Sequence, residues 1–254
     1  MSIIKCSDIS KSFPVARGYL RSNALTVKAV DGVSFNINRG EVFGLVGESG
    51  CGKTTVGRMV LGVIKPDSGR IERQTDRFQA VFQDPYGSLD PRMRISDILA
   101  EGLVIQSEAD GQRPDINRRV EGSLDLVKLP KTALGKYPHQ FSGGERQRIA
   151  IARAIITEPD LIVCDEPVSS LDVTIQLNIL NLLKDIRKRL DITYLFISHD
   201  LRVIRYMCDR VAVMRQGRIV EEAAADLIYD NPAHPYTKTL LSSVPDINIL
   251  TGKR

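Results

Sequence analysis

Gly47-Glu48-Ser49-Gly50-Cys51-Gly52-Lys53-Thr54-Thr55 is the stretch whose reading decides the fold of this 254-residue chain. It follows the pattern G-x-x-x-x-G-K-[ST], in which glycines let the backbone curl until successive N–H groups point inward at phosphate oxygens. The apolar run before it, residues 42–46, reads as a short buried strand. From Lys53 to Leu61 the pattern turns helical, with Gly62 where a helix stop is expected. Strand, glycine loop and helix in that order form a phosphate-binding loop, because the helix adds its positive end to the N–H cradle. Lys53 is expected to reach the terminal phosphates, Thr54 to ligate Mg2+ and Thr55 to bond the first phosphate, with the backbone of Gly47, Ser49, Gly50, Cys51 and Gly52 forming the cradle.

Outward from this loop, strands and helices alternate. Residues 33–37 (Val-Ser-Phe-Asn-Ile) alternate apolar and polar and predict a half-buried strand, with a turn at Asn38-Arg39-Gly40. Residues 161–164 predict a strand, 174–190 a long amphipathic helix, 193–197 a strand, and 201–207 a helix. Residues 211–214 and 218–221 predict a hairpin around Gln216-Gly217. Such alternation implies a parallel sheet with helices on its faces. The middle differs. Ile95, Ile98, Leu99, Val120, Leu124 and Val127 recur at helical spacing, with Asp90-Pro91 and the polar stretch 107–114 as punctuation, so residues 91–158 are expected to form an inserted helical lobe. Residues after Pro245 are expected to form a loose tail.

The strand 161–164 runs into Asp165 and Glu166. In open α/β sheets ligands bind at the carboxyl ends of strands, which is where this pair emerges. Asp165 suits the metal shell, and Glu166 suits a general base that polarises an attacking water.

Composition narrows the classes. With 43% apolar and 26% charged residues, the chain can bury a sizeable core and wholesale disorder is excluded. A formal charge of +4, spread without a dense basic block, argues against a nucleic-acid binder. No apolar run approaches the ~20 residues of a membrane-spanning helix, and the first ten residues lack a signal-peptide pattern, so a cytosolic location is expected. Cys6, Cys51, Cys164 and Cys208 lack metal-ligand spacing and are expected to be free thiols, with no iron–sulfur cluster.

A second glycine-rich turn, Phe141-Ser142-Gly143-Gly144-Glu145-Arg146-Gln147-Arg148, precedes a helix that Ser142 is suited to cap. This segment resembles the LSGGQ signature loop of ABC ATPases, with Phe141 in place of Leu and Glu145 in place of Gln. A carboxylate at that place is awkward beside phosphate, so Glu145 is expected to point outward. Phe82-Gln83-Asp84-Pro85 resembles the family's Q-loop, Ser170-Leu171-Asp172 its D-loop, and Ile197-Ser198-His199-Asp200 its H-loop. Phe13 lies where the family places an aromatic that stacks on adenine.

The resemblance covers essentially the whole chain. It implies a P-loop NTPase fold of the α/β class: a RecA-like parallel-sheet lobe (1–90 and 159–230), N-terminal antiparallel strands, the helical signature lobe (91–158) and a C-terminal extension (231–254). It implies ATP and Mg2+ as ligands, Gln83 at the metal, His199 and Gln83 at the γ-phosphate, and Ser142, Gly143, Gly144 and Asp172 facing ATP across a head-to-tail dimer. The segments 82–92, 137–144, 173–176, 231–237 and 240–245 resemble the peptide and nickel importer branch. In that branch the cassette lies at the cytoplasmic face of the membrane beneath permease subunits, paired with a second ATPase subunit or itself and served indirectly by a substrate-binding protein. Two rivals stand beside this reading. One is a soluble ABC ATPase of a phosphonate-processing complex, which shares an Asn-Pro-…-His-Pro-Tyr-Thr ending. The other is a small-molecule phosphotransferase, which has no use for the Ser-Gly-Gly loop or His199.

Overall fold

The computed structural model describes residues 1–15, 25–110 and 115–243. In chain order the elements are β1 (Ser2–Val15), β2 (Leu25–Asn38), β3 (Val42–Val46), α1 (Lys53–Val60), β4 (Ser68–Arg73), β5 (Phe78–Phe82), α2 (Pro85–Ser88), α3 (Ile95–Asp110) and α4 (Ile116–Leu126). They continue with α5 (Gly143–Ile155), β6 (Leu161–Asp165), α6 (Val173–Leu190), β7 (Thr193–Ser198), α7 (Leu201–Met207), β8 (Arg210–Arg215), β9 (Arg218–Ala224), α8 (Ala225–Asp230) and α9 (Pro235–Ser242). They fall into two compact units, residues 1–76 with 193–254, and residues 77–192.

The first unit holds two sheets. In one, β1 pairs antiparallel with both β2 and β4. In β2 the buried Val33, Phe35 and Ile37 alternate with more exposed residues, the period-two pattern read from sequence, and the strand extends well before Val33. Asp8, at a φ of +50°, marks an irregularity in the β1 register. In the other sheet β3 lies between β7 and β8, parallel to both, and β9 pairs antiparallel with β8. Every residue of β3 is buried, as a strand covered on both faces requires. Phe35 of β2 stacks on Phe43 of β3 at 5.2 Å between centroids, and Arg210 covers the Phe43 ring. Ile4, Ile37, Leu45 and Phe196 are fully enclosed, each contributing about 1.5–3 kcal/mol by burial.

The second unit builds on a parallel pair, β5 and β6, with α2 to α6. Its core joins Ile149, Ile151 and Ile155 of α5 with Ile162 and Val163 of β6 and Leu180 and Leu183 of α6. Arg77 closes the base of the strand pair: its guanidinium donates two bonds of 2.9 Å to the carboxylate of Asp160, whose backbone N–H returns one to the Arg77 carbonyl. Ile95, Ile98, Leu99, Val120, Leu124 and Val127 are all buried, so the helical spacing marked a true core face.

One expectation is corrected. Residues 107–110 are not punctuation but the last turn of α3. Ser107 keeps its hydroxyl in the helix by donating to the Val104 carbonyl at 2.8 Å, and no Gly or Pro intervenes before residue 111. Residues 111–114 and the tail expected after Pro245 lie outside the described residues. All four cysteines are buried. Among the described residues no helix is long and apolar enough to cross a membrane.

Candidate functional site

In the first unit the phosphate loop leaves β3 at Val46 and enters α1 at Lys53. The loop needs glycine at two places. A Cβ on Gly47 would lie 2.1 Å from the Met214 carbonyl oxygen, and Gly52 combines a φ of +109° with a Cβ position 2.1 Å from the Ala29 carbonyl oxygen. Gly50 instead faces open space, with nothing within 4 Å of its Cβ position. Lys53 is buried, and its Nζ donates to the carbonyls of Gly47 and Glu48 at 2.8 Å each. The loop thus holds its own cation at its centre. Ser49 and Thr54 are exposed, and Thr55 is half-buried. Cys51 turns its backbone N–H to the Glu48 carbonyl and its thiol toward Lys53, while burial pushes the thiol's ionisation up. Its carbonyl accepts from Gly217 at 3.0 Å, tying the loop to the β8–β9 turn.

His199 belongs to the same unit. Val46 and Ser198 are paired residues at the carboxyl ends of β3 and β7, so the phosphate loop and His199 leave one sheet edge side by side. His199 is exposed. Asp200 follows and caps α7, accepting from the Arg202 N–H at 2.8 Å. Burial opposes ionisation of Asp200, but the Arg202 guanidinium and the cap hold its pKa below the ordinary value. Phe13 is exposed on β1 with Lys11 near its ring, outside the core. Asp67 pins that strand by accepting from Lys11 Nζ at 2.6 Å and from the Ser12 N–H at 2.8 Å.

The second unit repeats the strand-end arrangement. Phe82 pairs with Asp165 at the carboxyl ends of β5 and β6, so Gln83 emerges beside Asp165 and Glu166. Glu166 has a φ of +51°, a strained conformation for a residue with a side chain and a common mark of functional positions. The Glu166 carbonyl accepts from the Ser169 hydroxyl at 3.2 Å. Ser142 caps α5, and Glu145 returns its carboxylate to Ser142, completing a capping box. The capping box accommodates the departure from Gln: the carboxylate is spent on the helix end. Hydrogen bonds from the Ser142 backbone N–H and hydroxyl hold its pKa below the usual carboxylate range. Gly143 and Gly144 form the first turn of α5, and Gly144 packs closely against Ile175 of α6. Asp172 caps α6, accepting from the Ile175 N–H at 3.0 Å.

Two motif residues make contacts that their motifs alone do not indicate. Ser170 donates to the Gln83 carbonyl at 3.3 Å, and the buried Gln147 donates to the Phe82 carbonyl at 3.5 Å. The segment carrying Gln83 is therefore strung between the turn before α6 and the buried face of α5. Gln147 had a signal: an amide at a helix position whose neighbours in register, Ala150, Ile151 and Ala154, are apolar and small enough to be core.

The sequence model described as ABC transporter matches residues 30–169, and that of the oligopeptide/dipeptide transporter C-terminal region matches residues 220–253. An oligopeptide transport ATP-binding protein, OppF, of Bacillus subtilis is 44% identical over 96% of this chain and 82% of its own length. OppF of Streptococcus mutans is 46% identical over 91% of this chain and 80% of its own length. Among solved structures, cbiO1 of Clostridium perfringens, part of the ABC transporter complex cbiONQ, superposes with a TM-score of 0.76 at 27% identity over 99% of both chains. A strand-borne phosphate loop, a second strand end carrying Asp165-Glu166 and a capped Ser-Gly-Gly helix agree with these matches, and the chain belongs to the ABC transporter family.

Proposed function

We propose that this chain is the ATP-binding and ATP-hydrolysing subunit of an ABC importer for peptides. The observation that carries the reading is the coexistence of the phosphate loop centred on Lys53 with a C-terminal segment matching the oligopeptide/dipeptide transporter region. The finer division into a catalytic lobe, a helical signature lobe (91–158) and a C-terminal extension is part of the same proposal.

The residues present fit the ligands this requires. The Lys53 amine, held on two loop carbonyls, can turn to phosphate oxygens, and the open face at Gly50 leaves room for them. Phe13 offers an exposed ring for the base. Thr54, Gln83 and Asp165 supply hard oxygen donors of the kind Mg2+ prefers. When bound, Mg2+ neutralises charge on the transferring phosphoryl group. Glu166 is assigned as general base, taking the proton of the attacking water at its carboxylate. His199 and Gln83 are assigned to the γ-phosphate, and Ser142, Gly143, Gly144 and Asp172 to a second cassette's nucleotide. ATP then acts through its greater affinity for the closed pair than for the open one. Permease subunits are the proposed partners, with the chain peripheral at the cytoplasmic face and a second ATPase subunit or another copy completing the pair.

Co-purification of the tagged chain from gently solubilised native membranes tests the assignment. Recovery of two permeases with a second cassette is the expected outcome. Recovery of soluble partners alone would move the chain to a non-transport complex.

A further inference from the structure

The segment His234-Pro235-Tyr236-Thr237 lies outside the nucleotide machinery assigned above, yet it is built into the first unit with unusual care. The Glu221 carboxylate accepts from the backbone N–H groups of Ala233 at 2.7 Å and His234 at 3.0 Å. His234 caps α9 through Nδ1, which accepts from the Tyr236 N–H at 3.1 Å. Pro235 opens the helix, where its missing N–H costs nothing. These contacts leave Tyr236 and Thr237 buried.

Tyr236 reaches the phosphate loop. Its ring carries the Arg215 guanidinium at 4.7 Å from the centroid. Its phenol oxygen is buried beside the backbone N–H and carboxylate of Glu48, yet makes no hydrogen bond of regular geometry. Burial pushes the phenol's ionisation up, so it stays protonated and able to donate. Arg215 is the last residue of β8, and the end of that strand and its turn meet the loop directly: Met214 packs on Gly47, and Gly217 donates to the Cys51 carbonyl. Tyr236 therefore lies beside Glu48 of the loop and grips the end of the strand that supports it. The Glu48 carbonyl is in turn one of the two acceptors that hold Lys53 Nζ.

We propose that Tyr236 is a positioning residue for nucleotide binding: packed between Arg215 and Glu48, it fixes the Gly47–Glu48 peptide and through it the placement of Lys53. The C-terminal segment is then a brace on the phosphate loop. Its buried phenol, lacking a regular partner in this state, is poised to complete a bond to Glu48 when the loop tightens. The proposal rests on the reading of the loop as an ATP site. By linkage, a brace that raises nucleotide affinity must itself be stabilised when nucleotide binds.

The test is equilibrium titration of the full chain with a non-hydrolysable ATP analogue and Mg2+, with amide hydrogen exchange over α9 followed in the same samples. Y236A is expected to bind about tenfold more weakly, within the usual range of coupling between sites. Y236F, which keeps the stacked ring, should stay within about threefold of the unmutated chain, and R215M should fall between the two. Nucleotide should slow exchange across residues 235–242 in the unmutated chain and leave it unchanged in K53A. Should Y236A fail to fold, R215M and the exchange data carry the decision. Unaltered affinity in folded Y236A or R215M, or exchange in α9 indifferent to nucleotide, would overturn the brace. Equal failure of the unmutated chain and K53A to bind would instead overturn the ATP reading and the brace with it.

Discussion

Glu145 folds back onto Ser142, its Oε2 accepting from the Ser142 backbone N–H at 2.9 Å and from the Ser142 hydroxyl at 2.8 Å. The residue that departs from the family's signature is therefore an N3 capping residue, for which glutamate and glutamine serve alike. E145Q is expected to keep the stability of the unmutated chain within ~0.5 kcal/mol, and E145A to lose about 1 kcal/mol, as capping substitutions do. Urea unfolding of the three proteins checks this.

The same carboxylate gives a pH dependence of known sign. Its pKa is lowered in the folded state by the bonds from Ser142. Its contribution is therefore fully present above the unfolded value of about 4.3 and is lost as pH falls through the lowered folded value. Melting temperatures measured from pH 7 down to about 3 should fall more steeply for the unmutated chain than for E145Q, the curves parting below about pH 4.3. Parallel curves would remove Glu145 from the cap.

The two kinds of glycine in the phosphate loop separate cleanly. G52A must accept both a φ of +109° and a Cβ 2.1 Å from the Ala29 carbonyl, so a loss of about 3 kcal/mol with abolished nucleotide binding is expected. G50A meets no neighbour and bears only the cost of its φ of +79°, about 1 kcal/mol. Denaturant midpoints with nucleotide titrations distinguish them.

Much of this was legible in the sequence, for reasons visible residue by residue. The run 42–46 and the helix 201–207 were placed to the residue, because an apolar strand closed by glycine and a helix opened by Asp200 carry their own boundaries. The end of α3 was misplaced because Ser107 and Asp110 resemble loop residues in composition, while only the return bond to Val104 reveals the helix. The capping box is latent in Ser142-x-x-Glu145, where the spacing marks a helix start and the carboxylate serves that end rather than a phosphate. The Tyr236–Glu48 neighbourhood could not be read at all. It joins positions far apart in the chain, and no periodicity reports such a contact.

ATP turnover compared between the unmutated chain and E166Q tests the central claim most directly. With Glu166 as the base, E166Q should lose turnover while retaining bound ATP and accumulating as a stable dimer, and K53A should lose nucleotide binding altogether. Hydrolysis by E166Q at the unmutated rate, or undiminished binding by K53A, would contradict the account of this chain as an ATP-driven cassette working through these residues.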